Sequence, residues 1–548
     1  MLASFLALVS PVAAAPNRGG QVTVGSVGNV LTLNPALAES ALERGIAQCL
    51  FSALYRTDPA DGFVPDLLTA MPVRKGLTYH YELRRGVLFS DGHELTAEDV
   101  KFTWETMANP KVPVADRAGW DTIASCEIPS VAYEDEDGRI RRRPDKYRFR
   151  ITLKEPSARY EMLWAGTAIL PKHVVEKEMR ENAARKAREL LDWTGPFSRR
   201  PVGSGPFVLK EWRPDQYLVL ARNPRYFRPG LPYLDRVVIK LFTDERALLT
   251  QLADGAIDLC RLPPDQYAEA ARIPGMTVQS SPGNDYDCIL MNLNDPRDPG
   301  KPHPILGDRR VRQALEYAFP RESIVETVLG GAGFPAYTYL PPFSWAHHGE
   351  LDAPRHSPEK AARLLDEAGW MAGEDGLRRR DGMPLRVTMH ANAGLKTRER
   401  IAQACRESWR EIGVDLEVRL VDAATLYADL MINRRFEMLM TGWTTDGDPD
   451  CSALFGAGPG GGSFTGYRNG ELEELLREGL TTPDRLARRR IYRRVQEILA
   501  EDVPCIFIDF HAVLAAASGR VANFRVNPTG GTDFWNVHEW YVADPAVP

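Results

Sequence analysis

Seven cysteines in 548 residues (Cys49, Cys126, Cys260, Cys288, Cys405, Cys451 and Cys505) never fall in a Cys-x-x-Cys spacing. That excludes thiolate-rich structural zinc sites and the paired-thiol redox motif. A chain this long supplies its own core and needs no disulfide framework, so most of these cysteines read as small buried hydrophobes. Their odd number leaves at least one thiol free in an exported protein. Histidine is scarce as well. Only ten are present, without a spacing that suggests a metal site, and neither His93-Glu94 nor His538-Glu539 continues into the helical zinc-protease motif. No charge of one sign dominates: 68 Lys and Arg against 74 Asp and Glu give a net charge of −6, which offers no support for nucleic-acid binding. Beyond the first residues, no apolar run approaches the length that spans a membrane.

Catalytic signatures are missing too. The glycine-rich surface loop Gly456 to Gly462, with Ser463 after it, has no Lys-Ser/Thr pair and so no phosphate-cradling loop. Gly203-Ser204-Gly205 lacks the Gly-x-Ser-x-Gly elbow of a nucleophile and reads as a backbone turn. Asp446, Asp448 and Asp450 alternate like ligands of a calcium loop, but Cys451 stands where the glycine is needed and Ala457 where the bidentate Glu is needed. Three carboxylates on one tight turn cannot flank a glycosidic bond either. Asp448 and Asp450 read instead as turn residues bonding to local backbone. His347-His348, beside Pro341-Pro342, reads as a solvent-exposed loop.

What is present begins with an export signal. Leu2 to Val9 is a short apolar core, and Ala13-Ala-Ala15 before Pro16 supplies small residues for cleavage, placing a signal peptide at residues 1–15. No Lys or Arg precedes Arg18, so the usual basic start is missing. No cysteine follows the core, which disfavours a lipid anchor. The expected location is the Gram-negative periplasm.

The remainder alternates strands and helices, the pattern of α/β lobes. Thr96 with Asp99 makes a capping box for a helix carrying Val100, Phe102, Trp104 and Met107. Phe207 to Trp212 and Tyr217 to Ala221 form a hairpin after Gly203 and Gly205. Ser357-Pro358 and Thr482-Pro483 open helices, and Thr397 to Ile412 is a helix ended by Gly413. It leads into the period-two strand Val414 to Leu420.

Leu88 to Trp104 and Pro201-Val-Gly-Ser-Gly-Pro-Phe-Val-Leu-Lys-Glu-Trp212 closely resemble the family 5 extracytoplasmic solute-binding proteins, the receptors of dipeptide, oligopeptide and nickel ABC importers. Leu33-Asn34-Pro35, Val64 to Leu67, Ile169-Leu-Pro-Lys-His173, Asn223 to Tyr226, Asp308 to Ala314, Leu364 to Trp370 and Asp448-Pro-Asp450 continue the resemblance along nearly the whole mature chain. It implies a two-lobed α/β periplasmic-binding-protein fold with an enlarged first lobe and a ligand cleft between the lobes. Lobe one would take residues 16–283 and a C-terminal return, 506–548; lobe two would take 284–505. The crossovers would fall near Asp285 to Asn292 and Pro504 to Phe510.

The same resemblance points to a site. In peptide receptors of the family an aspartate after Gly-Trp pairs with the ligand's α-ammonium, and Gly442-Trp443-Thr444-Thr445-Asp446 fits that pattern, although the spacing to Asp448 is one residue short. A buried ammonium needs such an opposite charge. Trp443 either walls the pocket beside Thr444 and Thr445 or packs in the core. Lys396, Arg398 and Arg400 lie in the right region for the ligand carboxylate, though each also suits capping or solvating its own helix. The expected function is capture of short peptides for delivery to an inner-membrane ABC permease, by a monomer without cofactor, metal or nucleic acid. The alternatives are a nickel chelate, oligosaccharide, opine or haem on the same fold. A hydrolase using the inter-lobe cleft is the competing class, and the sequence shows no nucleophile with its base and no opposed carboxylates.

Overall fold

The computed structural model describes residues 16, 18–58, 62–134, 137, 139–263, 266–445, 447–457, 463–529 and 533–543. The export signal, Asp446 and residues 458–462 of the glycine-rich loop lie outside the described residues.

An eleven-stranded mixed sheet runs through the molecule. Its strands in chain order are β1 (Gln21–Val27), β2 (Phe207–Arg213), β3 (Tyr217–Arg222), β4 (Arg236–Phe242), β5 (Leu259–Leu262), β6 (Met276–Met291), β7 (Gly333–Pro335), β8 (Arg386–Asn392), β9 (Asp415–Val421), β10 (Met438–Thr444) and β11 (Cys505–Ser518). Spatially they follow the order β2-β3-β4-β1-β5-β11-β6-β10-β8-β9, with β7 added to β11. The two central strands are the long ones, 16 residues in β6 and 14 in β11, and they run antiparallel. Met276–Pro282 pairs with Ala512–Ser518, and Tyr286–Leu290 pairs with Cys505–Phe510, with the register broken between Pro282 and Tyr286. Each long strand therefore contributes one end to each half of the molecule.

The apolar cores divide at the same place. Residues from Val22 to Leu259, joined by Ala515, Ala517 and the C-terminal Phe534 and Trp540, form one cluster. A smaller one against Ala512, Leu514 and Ala516 adjoins it. Residues from Tyr286 to Phe510 form two others. Two lobes thus share one sheet, the architecture expected for a cleft-binding protein.

Local chemistry explains the elements that frame the cleft. Asp99 accepts the Thr96 backbone N–H at 2.8 Å and caps the helix Ala97–Ala108, while its other oxygen accepts the Lys172 N–H at 3.0 Å and so pins the start of the helix Lys172–Ala184. Gly203 and Gly205 are required by close approach: a Cβ on Gly205 would lie 2.5 Å from the carbonyl carbon of Leu50, whose oxygen accepts the Gly205 N–H. Ser204 is buried and accepts the Ser52 N–H, a turn role.

The helix Lys396–Glu411 connects β8 to its parallel neighbour β9, burying Ile401, Ala402, Cys405, Ser408 and Trp409 on one side. The long helix Arg485–Asp502 begins later than Thr482-Pro483 suggests, because Asp484 rather than Thr482 is its N-cap and accepts the Ala487 N–H at 2.7 Å. All seven cysteines are free and buried. His347 and His348 do not sit on an exposed loop. His347 Nδ1 lies 2.8 Å from the Leu340 oxygen, and the His348 N–H donates to Gln496, so the segment packs onto the helix Arg485–Asp502.

Candidate functional site

A cavity of about 280 Å³ opens where the two lobes meet. Thr57, Glu161, Met162, Ala165 and Thr529 wall it on the first-lobe side; Phe343, Trp345, Thr445, Gly447, Asp448, Arg485 and Arg488 wall it on the other. Asn284, in the break of β6, sits at the seam and donates to the Thr529 carbonyl at 2.6 Å while accepting the Thr445 N–H on its own carbonyl at 3.1 Å. A larger space of about 1090 Å³ continues from it, sharing Thr57, Met162, Ala165 and Thr529. Together they form a cleft of the size that encloses small ligands. Its lobes touch directly at one rim, where the Ala158 N–H donates to the Leu480 carbonyl at 3.0 Å.

Both walls carry charged groups. Arg488 grips Asp448 with one nitrogen 2.9 Å from each carboxylate oxygen, the two side chains being 5% and 2% exposed. Burial pushes the Asp448 carboxyl up and Arg488 pulls it back. Asp448 also accepts the Asp450 N–H, and Asp450 accepts from the Ser452 N–H, so the turn is built from local bonds as its sequence implies. Arg485, in the first turn of the same helix, stacks its guanidinium over Trp345 at 5.2 Å. On the opposite wall, burial raises the Glu161 carboxyl against the pull of Arg485 and Arg74.

The residues singled out in sequence are placed as follows. Thr445 lines the cavity, and Thr444 donates to Asp285 at 2.5 Å. Trp443 packs against Phe464 with ring centres 6.1 Å apart. Asp446 lies outside the described residues, between Thr445 and Gly447, both of which line the cavity. Lys396 pairs with Glu399, and Arg400 donates to the Thr327 and Val328 carbonyls. Arg398 is engaged elsewhere: its Nη2 and Nε lie 2.7 and 3.2 Å from the two oxygens of buried Asp287, and Nη1 donates to Asn392. None of these three cations lines the cavity. Arg485 and Arg488, which do, carry no local sequence signal, since Asp448 is 40 residues from Arg488.

Arg398 belongs to a buried cluster with Asp287, Asp509 and His511. Asp287 pairs in register with Gly442 on β10 and with Asp509 on β11. His511 Nε2 lies 3.4 Å from Asp287, and Asp509 Oδ1 is buried without a hydrogen-bond partner. Gly442 and Gly333 give the cluster room, because a Cβ on either would press on it at 3.1 Å or closer. Burial pushes the Asp509 carboxyl up to about 7, with His511 opposing and Asp287 adding to the rise. Burial works against a charged His511, yet Asp287 and Asp509 outweigh it and raise its pKa. Burial likewise opposes ionisation of Asp287, but His511 and Arg398 hold it below the usual carboxylate range.

Comparison with known proteins decides the family. Residues 33–463 match the model of bacterial extracellular solute-binding proteins, family 5 Middle. The chain belongs to that family. Among family 5 relatives, it is 28% identical over 539 residues to the oligopeptide-binding protein AppA of Bacillus subtilis, covering 96% of this chain and 92% of AppA. It is 26% identical over 544 residues to the glutathione-binding protein GsiB of Salmonella typhimurium, covering 96% of each. The solved structure of Bacillus subtilis AppA in complex with a nonapeptide superposes with a TM-score of 0.61 at 28% identity, covering 97% of this chain and all of that one. NikZ from Campylobacter jejuni in complex with Ni(L-His) gives 0.65 at 25% identity, covering 95% and 99%. Family 5 members are two-lobed solute-binding proteins, and the shared sheet and inter-lobe cleft of this chain are that architecture.

Proposed function

We propose that this family 5 protein is the extracytoplasmic receptor of an ABC importer and that it captures short peptides in the inter-lobe cleft. The observation that carries the reading is a cavity walled by both lobes and lined by carboxylate and guanidinium groups together with apolar Met162, Phe343 and Trp345. A receptor for varied peptides must fix the shared termini and hold side chains loosely. Asp446 takes the ligand's α-ammonium in this reading, supported by the cavity-lining positions of its neighbours Thr445 and Gly447. Arg485, stacked over Trp345 on the cavity wall, is the cation this reading offers to a ligand carboxylate. The relatives named for oligopeptide and glutathione binding point the same way.

Lobe one is assigned residues 16–283 and 506–548, and lobe two residues 284–505; the separation of the cores supports the boundary in β6, whereas in β11 Ile506, Phe507, Ile508 and Phe510 still pack with the second lobe. Closure is a hinge movement of these lobes, favoured to the extent that ligand touches both walls. Residues 1–15 direct export and are removed. The receptor works in the periplasm and meets its permease transiently.

The test is the melting temperature of the mature chain, refolded to strip carried-over ligand, against di-, tri- and longer peptides, nickel chelates and oligosaccharides. A ligand at about 100 times its Kd adds roughly 2.7 kcal/mol of stability. Peptides should raise the midpoint. A rise with only a nickel–histidine chelate or a sugar would overturn the peptide assignment and leave the family intact.

A further inference from the structure

Two of the motifs that mark this chain in sequence, Ser90-Asp-Gly-His93 and Leu170-Pro-Lys-His173, meet in space outside the cleft. We propose that Asp91, His93 and His173 form a binding site for a divalent transition-metal ion of the zinc or nickel kind. The three side chains come from segments 82 residues apart, and their ligand atoms all lie within 4.8 Å of one another. His173 Nε2 is 2.6 Å and His93 Nδ1 3.2 Å from the same oxygen, Asp91 Oδ2.

Each group is held in place by a different contact. The other carboxylate oxygen accepts the His93 backbone N–H at 3.1 Å, in a turn closed by the Phe89 N–H to the His93 carbonyl and passing through left-handed Gly92. His173 rides on the helix whose start Asp99 pins, with its ring 5.7 Å from Phe89 and stacked 3.9 Å from His93.

Two imidazole nitrogens with one carboxylate oxygen suit zinc, nickel or copper and not the oxygen-seeking calcium or magnesium. A tetrahedral ion with bonds of about 2.0–2.2 Å spaces its ligand atoms by roughly 3.4 Å, so the His173–Asp91 contact needs to open by only about 0.8 Å. All three residues are exposed, so water or a ligand atom can complete the shell. Among the described residues the other carboxylate–histidine cluster, Asp287 with Asp509 and His511, already holds the Arg398 guanidinium and is the poorer host.

The experiment is a titration of chelator-treated, tag-free protein with Zn2+ alone, followed by calorimetry, and with Co2+, followed by its visible absorption. The wild type should take one ion per chain and give the intense bands of four-coordinate Co2+. Because His93 is 62% exposed, His93→Gln leaves the fold intact. Both His93→Gln and His173→Gln should weaken Zn2+ by at least about tenfold, as loss of even an outer-shell partner does, while His511→Gln should not. No binding by the wild type, equal affinity in His93→Gln, or loss in His511→Gln alone would overturn the assignment. Bare ions without a histidine chelator keep this result separate from any chelate binding in the cleft.

Discussion

Replacing Asp509 with Asn should make the protein more stable, and the gain should grow with pH. Asp509 is 2% exposed, its Oδ1 has no partner, and burial raises its pKa from 3.8 to about 7. At about 1.4 kcal/mol per pH unit, the charged form costs about 4 kcal/mol in the folded state. The sign follows from the direction: a carboxyl raised on folding contributes stability that is complete below about pH 4 and is lost as pH climbs through about 7. His511 is also raised, so it too contributes stability that is lost as pH rises, and the wild type should weaken as pH climbs from about 4 through about 7.

Asparagine stays neutral throughout, and its amide can donate to Asp287 across the strand pair. The difference between variant and wild type should therefore be near zero at about pH 4 and reach several kcal/mol, at most about 4, near pH 8. Urea unfolding followed by tryptophan fluorescence at several pH values reads this out. Identical pH slopes in the two proteins, or a variant weakened at about pH 8, would refute the argument that Asp509 is held protonated by burial.

Other substitutions test other joints. Arg488→Ala removes the guanidinium that grips buried Asp448 and should cost on the order of 3–5 kcal/mol in unfolding free energy, much of it recovered when Asp448→Asn and Arg488→Met are combined. Gly205→Ala drives a methyl into the Leu50–Phe51 backbone and should destabilise by about 1–3 kcal/mol or more, measured as a fall in Tm. A colourless-to-coloured thiol reagent should find essentially no reactive cysteine in the native protein and seven after denaturation, because every thiol is free and buried.

Local chemistry was legible in the sequence. The Thr96–Asp99 capping box, the Gly203-Ser-Gly205 turn, the hairpin after it and the Gly413 stop all depend on residues within a few positions of one another, or on a glycine whose absence of Cβ leaves no substitute. The lobed architecture was legible through family motifs, since periodicity alone would have placed strands without saying which ends of β6 and β11 serve which lobe. What stayed hidden were pairings across tertiary distance. Arg398 looked available for a ligand carboxylate until Asp287, 111 residues away, was seen to hold it. Arg488 is one of several arginines on its helix with no local mark of its partner, and His93 and His173 are scattered without a telling spacing. A charge declares its partner only when the fold brings one close, and no local pattern encodes that approach.

Capture of a peptide through its ammonium at Asp446 is put to the test by calorimetric titration with a tripeptide and its N-acetylated form. Micromolar binding of the free peptide to the wild type is expected. Acetylation or Asp446→Asn should each weaken it by roughly 100-fold or more, the scale of about 3–5 kcal/mol for stripping one partner from a buried ion pair. Equal affinity for both peptides, in a protein that binds them well, would contradict it.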